Sequence, residues 1–274
     1  MFASPDPSIY GVGAVKSLSV SAVTYDWGLV WENRDLFWWG TVLALQVSIV
    51  ALILSLSFGL VLALGRMGRK PVTFFAAAYI NIFRGIPALV SVIWVYFGWS
   101  LLTGYNFTPF QAGVIALTLL YSAFFAEIFR SALMALPPGQ SEAGLALGMS
   151  RPKVFFFIKL PQATKIALPN IGNMYIGMVK DTSVFTVIGL VEIVRVTQNI
   201  NSITFQPFVL FTTAAIIYVF LAFGLDFIFR TLEKVLSTPT KGLIALTITS
   251  RRTARINSLI HSKEVALPVS SEKN

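Results

Sequence analysis

Residues 38–64 read WWGTVLALQVSIVALILSLSFGLVLAL, a run of 27 residues without one charged side chain. At 1.5 Å per residue, this run forms a helix of about 40 Å, whereas the hydrocarbon core of a bilayer is ~30 Å thick. The two tryptophans at its start are typical of the interface between membrane and water. The stretch therefore predicts a tilted transmembrane helix.

The composition of the whole chain agrees with a membrane protein. Of its 274 residues, 55% are hydrophobic and 12% are charged, about half the ~25% charged residues of a soluble domain. Asp, Glu, Lys and Arg are missing from residues 36–65, 85–126 and 196–225. Uncharged runs of this length exclude a soluble enzyme, a disordered scaffold and a secreted disulfide-rich domain.

The sequence has almost none of the residues that bind metals through nitrogen or sulfur or that act as thiol nucleophiles. The sequence contains no cysteine, and its single histidine, His261, lies in a polar basic tail. No zinc site, thiol nucleophile or bound cofactor is expected, and we expect the chain not to be an enzyme.

The apolar pattern predicts five transmembrane helices. Arg84 is expected near the interface, because a charge in mid-bilayer is costly, and the apolar residues 74–83 before it form a lead-in helix. The fourth span is irregular, since it contains Pro169 and the charged pair Lys180–Asp181. The predicted spans are residues 38–64, 86–102, 109–131, 163–190 and 207–230.

Basic residues give the orientation, because Lys and Arg accumulate on the cytoplasmic side of membrane proteins. The turn after the first span, the segment 130–165 and the tail 230–274 are all cationic, whereas residues 1–36 are net acidic. Five spans put all three cationic segments in the cytoplasm and the N-terminus outside. The net charge of +9 is then explained by topology, without nucleic acid. The predicted parts are an extracytoplasmic segment 1–36, a transmembrane domain 37–236 and a basic cytoplasmic tail 237–274.

A short cytoplasmic helix is predicted between the third and fourth spans, where residues 137–150 read PPGQSEAGLALGMS. Ser141 is a suitable N-cap, and Glu142 at the first helical position complements the helix dipole. Gly148 is expected to end the helix, and Ser150 to cap a second one. Small side chains allow another protein to approach the backbone closely at Ala143, Gly144 and Gly148.

Two other interpretations of this segment stay open. The helix could be an ordinary loop helix that packs on the membrane face. The sequence ALGMSR between two short helices also resembles the turn of a DNA-binding helix-turn-helix. Phe155–Phe157 make the would-be recognition helix too apolar to read base edges, which disfavours that interpretation.

Four motifs in order resemble a known family. Glu142-Ala143-Gly144, Gly148 and Ile158-Lys159-Leu160-Pro161 follow the pattern Glu-Ala-Ala, three residues, Gly, about nine residues, Ile-x-Leu-Pro. This pattern resembles the cytoplasmic signature of permease subunits of ATP-binding-cassette (ABC) importers for polar amino acids, with Gly144 where alanine is usual. The resemblance covers residues 36–236. Its other three motifs are Arg84-Gly85-Ile86-Pro87, Glu127-Ile128-Phe129-Arg130 and Lys180-Asp181-Thr182-Ser183.

The resemblance implies an all-α integral membrane protein with the type I ABC importer permease fold. It implies a dimer with an identical or homologous permease in the cell inner membrane, and an extracytoplasmic amino-acid-binding protein. Residues 141–149 become the coupling helix, which docks on a separate ATPase subunit that binds the ATP. This agrees with the absence of a G-x-x-x-x-G-K-[ST] phosphate loop from the sequence. The coupling residues are Glu142, Ala143, Gly144, Leu147 and Gly148.

Charged residues within the spans are candidates for the transport path, because such residues commonly line it. The candidates are Arg84, Lys180, Asp181, Thr182 and Ser183. Alternatively, Lys180 and Asp181 point to different faces and have a structural role, and Arg84 is an interfacial anchor. Structural pairs are expected within Glu127–Arg130 and within Asp226–Arg230.

Two further function classes stay open. A stand-alone channel or an ion-coupled secondary amino-acid carrier needs no ATPase, although many such carriers contain paired repeats, which this sequence lacks. An integral-membrane enzyme is the weakest candidate, since no catalytic constellation is visible.

Overall fold

The structure is a computed structural model that describes residues 25–237. The predicted tail 237–274 lies outside the described residues except for Ser237, and so does most of segment 1–36. Regular structure in the described part is helical throughout, as predicted. The helices are α1 (Gly28–Glu32), α2 (Arg34–Arg66), α3 (Val72–Gly85), α4 (Ala88–Ile93), α5 (Trp99–Thr103), α6 (Pro109–Met134), α7 (Gly139–Ala146), α8 (Arg151–Val154), α9 (Leu160–Asp181), α10 (Ile193–Thr204) and α11 (Pro207–Ser237).

Three short helical segments connect some of these helices. A π-helical turn, Trp94–Gly98, joins α4 to α5, and a second one, Phe155–Lys159, joins α8 to α9. A 3₁₀ segment, Thr182–Ile188, continues α9 and ends at Gly189. The chain from Ala88 to Thr103 and the chain from Arg151 to Ile188 are therefore each continuously helical.

Helices α2 and α6 form the centre of the fold. The buried face of α2 consists mostly of small residues, which let helix backbones approach closely. A Cβ added to Gly59 would lie 2.9 Å from the Cβ of Phe125 on α6. α6 begins with a capping box, in which Thr108 and Gln111 each accept a backbone N–H of the other.

The lead-in helix predicted over 74–83 lies within α3. The chain bends by 107° between α3 and α4, where Pro87 is the extended N-cap of α4. This bend follows the predicted boundary at Arg84, and α4 to α5 corresponds to the predicted second span.

Within residues 25–237, three helices, α2, α6 and α11, are long and apolar enough to cross a membrane, and the bent pair formed by α3 and α4–α5 is a fourth candidate. α9 falls outside this class although it has 22 residues, because polar residues such as Lys165, Asn170 and Asn173 interrupt its apolar surface. Pro169 lies inside α9 without ending it. The number of five spans therefore stays a prediction.

Candidate coupling surface and transport path

Helix α7 begins earlier than the sequence suggested. The backbone N–H groups of Ser141 and Glu142 donate to the carbonyl oxygen of Pro138 at 3.0 and 3.3 Å, and the helix starts at Gly139. The prediction that Ser141 is the N-cap is wrong, because Pro138 already has the helical backbone angles that start the turn. Glu142 lies in the first turn rather than at the first position, and there its charge still complements the helix dipole.

The end of α7 agrees with the prediction. Gly148 has a φ of +78°, a conformation that glycine adopts without steric cost. Its N–H donates to the carbonyl of Leu145 at 3.0 Å, and the N–H of Met149 donates to that of Gly144 at 3.1 Å. This pair of bonds is the Schellman motif. Ser150 is at the N-cap position of α8, but its side chain makes no capping hydrogen bond.

The two faces of α7 differ in what they contact. Gly144 is buried, and a Cβ there would lie 2.9 Å from Cγ2 of Val154 and 3.0 Å from Cδ1 of Ile158. The expectation that Gly144 admits another protein is wrong, because its missing side chain admits this chain's own α8 and the π-helical turn after it. Leu147 is 83% exposed, and the other exposed members of the predicted coupling set are Glu142, Ala143 and Gly148.

A charged cluster joins the ends of α2 and α6. Arg130 donates to Oε2 of Glu127 from Nε at 3.0 Å and from Nη2 at 2.8 Å, which confirms the predicted pair. Arg66 adds a contact that the sequence did not indicate, with Nε 3.1 Å from Oε1 of Glu127. Glu127 therefore connects two helices that are distant in sequence.

Arg84 lies at the edge of this cluster. Its Cζ is 5.7 Å from the centroid of the Phe124 ring, within the range of a cation–π contact. It forms no ion pair with any residue in 25–237. Arg84 borders a pocket of about 430 Å³, together with residues of α6 and α9.

Lys180 and Asp181 point into different surroundings. The hydroxyl of Tyr121 donates to Oδ2 of Asp181 at 2.9 Å and joins α6 to α9. Lys180 is exposed and borders a separate groove of about 400 Å³ beside α11. The structure thus favours the interpretation in which these residues serve different faces.

The remaining candidates of this motif continue into the 3₁₀ segment. Thr182 is buried and donates to the carbonyl of Val179 at 2.7 Å, and Ser183 is half-buried. On the opposite side of the Lys180 groove, Arg230 donates to Asp226 at 2.7 Å, which confirms the predicted pair in α11.

Sequence reasoning missed Glu192, which lies between the predicted fourth and fifth spans. Glu192 is fully buried and caps α10, since its carboxylate accepts the N–H groups of Val194 at 2.8 Å and Arg195 at 2.9 Å. Its Oε2 also accepts a hydrogen bond of 2.9 Å from the hydroxyl of Tyr218. Burial raises the pKa of this carboxyl, against the opposing effect of the hydrogen bonds. An acidic residue just ahead of the amphipathic stretch of α10 was the available signal.

Comparisons with known proteins agree with this architecture. The glutamine transport system permease protein GlnP of Escherichia coli strain K12 is 34% identical over 212 residues, which cover 77% of this chain and 97% of that protein. The arginine ABC transporter permease protein ArtQ of the same strain is 32% identical over 211 residues, covering 68% and 89%. The L-cystine transport system permease protein TcyB of Bacillus subtilis strain 168 is 30% identical over 225 residues, covering 79% and 95%.

A solved structure extends the likeness to the fold. The crystal structure of an amino acid ABC transporter with histidines has a TM-score of 0.71 and 33% identity, covering 77% of this chain and 99% of that one. The predicted type I ABC importer permease fold is thereby confirmed. Residues 55–238 match the family described as binding-protein-dependent transport system inner membrane component. The chain belongs to this family of inner-membrane transport permeases.

Proposed function

We propose that this chain is the permease subunit of an ABC importer that carries a polar amino acid across the cytoplasmic (inner) membrane. Relatives named for glutamine, arginine and cystine transport support the substrate class. ATP is bound and hydrolysed by a separate ATPase subunit, and this chain holds no cofactor of its own.

The outer face of α7 is the observation that carries the proposal. Leu147, the C-cap of α7, is 83% exposed, and the inner face of this helix is fixed by the close contact of Gly144 with Val154. An exposed apolar side chain on a firmly seated helix is suited to fill a pocket on a partner protein. The surface of this chain that docks on the ATPase subunit comprises Glu142, Ala143, Leu147 and Gly148, and the buried Gly144 beneath them packs against Val154 and Ile158.

The remaining partners follow from membership of the family. A second permease, identical or homologous, completes the translocation path, and an extracytoplasmic binding protein delivers the amino acid. The N-terminus lies outside and the cationic side, with α7, lies in the cytoplasm. Path residues are drawn from Arg84, Lys180, Asp181, Thr182 and Ser183, and two of them, Lys180 and Asp181, face different surroundings.

Reconstitution into proteoliposomes tests the proposal. Uptake of labelled L-glutamine or L-arginine is expected only with ATPase subunits, binding protein and ATP together. Leu147→Glu is expected to abolish uptake because it puts a charge into the apolar contact, whereas Leu147→Met keeps an apolar tip and is expected to retain uptake. ATP-independent uptake by the purified chain alone would instead support the stand-alone channel or ion-coupled carrier.

A further inference from the structure

The pocket beside Arg84 lies between three helices. Arg84 comes from α3, Glu127 and Ser131 from α6, and Asn170 and Asn173 from α9, around a volume of about 430 Å³. This volume is in the range of small-molecule sites. Five polar side chains thus converge on one space in a region of otherwise apolar helices.

The pocket lies nearer to α7 than Asp181 does. Asp181 contacts Tyr121, which precedes Glu127 by six residues on α6, so the pocket is about 9 Å closer to the α7 end of that helix. Glu127 itself lies seven residues, or about 10 Å, before the end of α6 at Met134. In the proposed orientation the pocket therefore lies on the cytoplasmic side of Asp181.

The charge around the pocket favours an anion. Both oxygens of Glu127 face guanidinium groups, Oε1 that of Arg66 and Oε2 that of Arg130. Arg66 and Arg130 are not part of the pocket lining, but their contacts compensate the charge of Glu127, so Arg84 remains as the uncompensated positive charge of the lining. Arg84 makes no ion pair within residues 25–237, so its guanidinium is available to an incoming oxyanion.

The other polar groups add both donors and acceptors. The side-chain amides of Asn170 and Asn173 form no hydrogen bond with other residues of the described part of the chain, and both are exposed. Each amide offers an oxygen acceptor and two N–H donors. An amino acid uses both kinds of group, because its carboxylate accepts hydrogen bonds and its ammonium donates them. The mixed set therefore fits a free amino acid, and the experiment below separates it from a lipid headgroup.

We propose that this pocket is a second amino-acid site, on the cytoplasmic side of Asp181, in which the α-carboxylate of the released substrate binds the Arg84 guanidinium. The amides of Asn170 and Asn173 form hydrogen bonds with its ammonium or its side chain. This inference rests on the proposed function and orientation, and it adds an exit site to the transport path.

Single-cysteine protection tests the site, because the chain has no native cysteine. Ser131→Cys places a thiol at the exposed rim of the pocket, and its labelling by a polar maleimide is followed in the permease–ATPase complex in nanodiscs. L-arginine or L-glutamine, whichever the complex takes up, is expected to slow labelling. The analogue of that amino acid that lacks the α-carboxylate is expected not to slow it. Adding Arg84→Gln is expected to raise the half-protecting concentration about tenfold or more, since a charge-assisted hydrogen bond is lost.

Two matched variants accompany the measurement. Arg69→Gln removes the same charge from the nearby turn outside the pocket and is expected to leave protection unchanged. Ser202→Cys carries an exposed thiol on α10 and is expected to show no protection. Met174→Cys is a second reporter in the pocket, on α9 and with no assigned binding role, should Ser131→Cys fail to assemble.

Three results would overturn the site. One is unchanged labelling in a preparation that takes up the amino acid, which leaves the proposed function standing. Another is protection by phosphatidylglycerol in the nanodisc with none by amino acids, which identifies a lipid headgroup site. Absence of uptake in the wild-type preparation contradicts the proposed function, and the exit site with it.

Discussion

Nε of Arg66 lies 3.1 Å from Oε1 of Glu127, so the last turn of α2 is joined to α6 by the carboxylate that also binds Arg130. The two partners are only 27% and 19% exposed. α6 leads within a few residues into α7. We therefore expect a displacement of α7 to reach α6 through the backbone and α2 through the side chain of Glu127.

Glu127→Gln is expected to destabilise the protein by about 1–3 kcal/mol, because it leaves two partly buried guanidinium groups without their counter-charge. Thermal unfolding in detergent measures the loss. Asp226→Asn breaks the more exposed pair with Arg230 and is expected to change the melting temperature little. Equal effects of the two substitutions would contradict the role assigned to Glu127.

The packing of α7 against the rest of the chain can be tested at its buried glycine, Gly144. Gly144→Leu needs space already occupied by Val154 and Ile158, so α7 is expected to shift and uptake to fall sharply while the protein stays in the membrane. Gly139→Ala is the matched control, since a Cβ there meets nothing within 4 Å. Normal uptake by Gly144→Leu would show that the position of α7 is unimportant.

Two glycines of the long helices should respond in opposite ways to alanine. A Cβ at Gly172 would lie 2.8 Å from Cγ of Phe229, whereas one at Gly224 meets nothing within 4 Å. Gly172→Ala is expected to cost about 1–3 kcal/mol through overpacking. Gly224→Ala is expected to be neutral or slightly stabilising, because alanine favours a helix more than glycine does. The reverse order in thermal unfolding would contradict the packing of α9 on α11.

Glu192 predicts a pH dependence of stability. Burial raises the pKa of its carboxyl in the folded state, so ionisation is easier in the unfolded chain. Stability from this group is therefore greatest below its ordinary pKa and falls as the pH rises through the interval up to the raised value. Glu192→Gln does not titrate and therefore lacks this pH-dependent contribution to stability.

The comparison is made by thermal unfolding of both proteins from about pH 5 to about pH 8. The melting temperature of the wild type is expected to fall relative to that of Glu192→Gln as the pH rises. A difference that stays constant, or one that changes in favour of the wild type, would contradict the raised pKa.

Sequence patterns predicted the features that depend on neighbours along the chain. The uncharged run 38–64 lies within α2, Gly148 follows the end of α7, and the spacing of Glu127 and Arg130 gave their pair. Each of these follows from the periodicity of a helix or the conformation of one residue.

Features that depend on packing between distant segments could not be predicted. The contact of Arg66 with Glu127 requires α2 and α6 to lie side by side. The burial of Gly144 depends on where α8 packs, and the sequence of the eight-residue helix α7 does not indicate that position. Burial of Glu192 depends on Tyr218, 26 residues later in α11.

Crosslinking from the α7 region tests the docking of the permease on the ATPase subunit most directly. A photoreactive side chain at Leu147, in the assembled complex, is expected to crosslink to the ATPase subunit, whereas the same group at Phe205, which is 81% exposed on the other side of the fold, is expected not to. Crosslinks from Leu147 to no nucleotide-hydrolysing protein, or reaction of that position with reagents confined to the outside of the cell, would contradict the proposed mechanism.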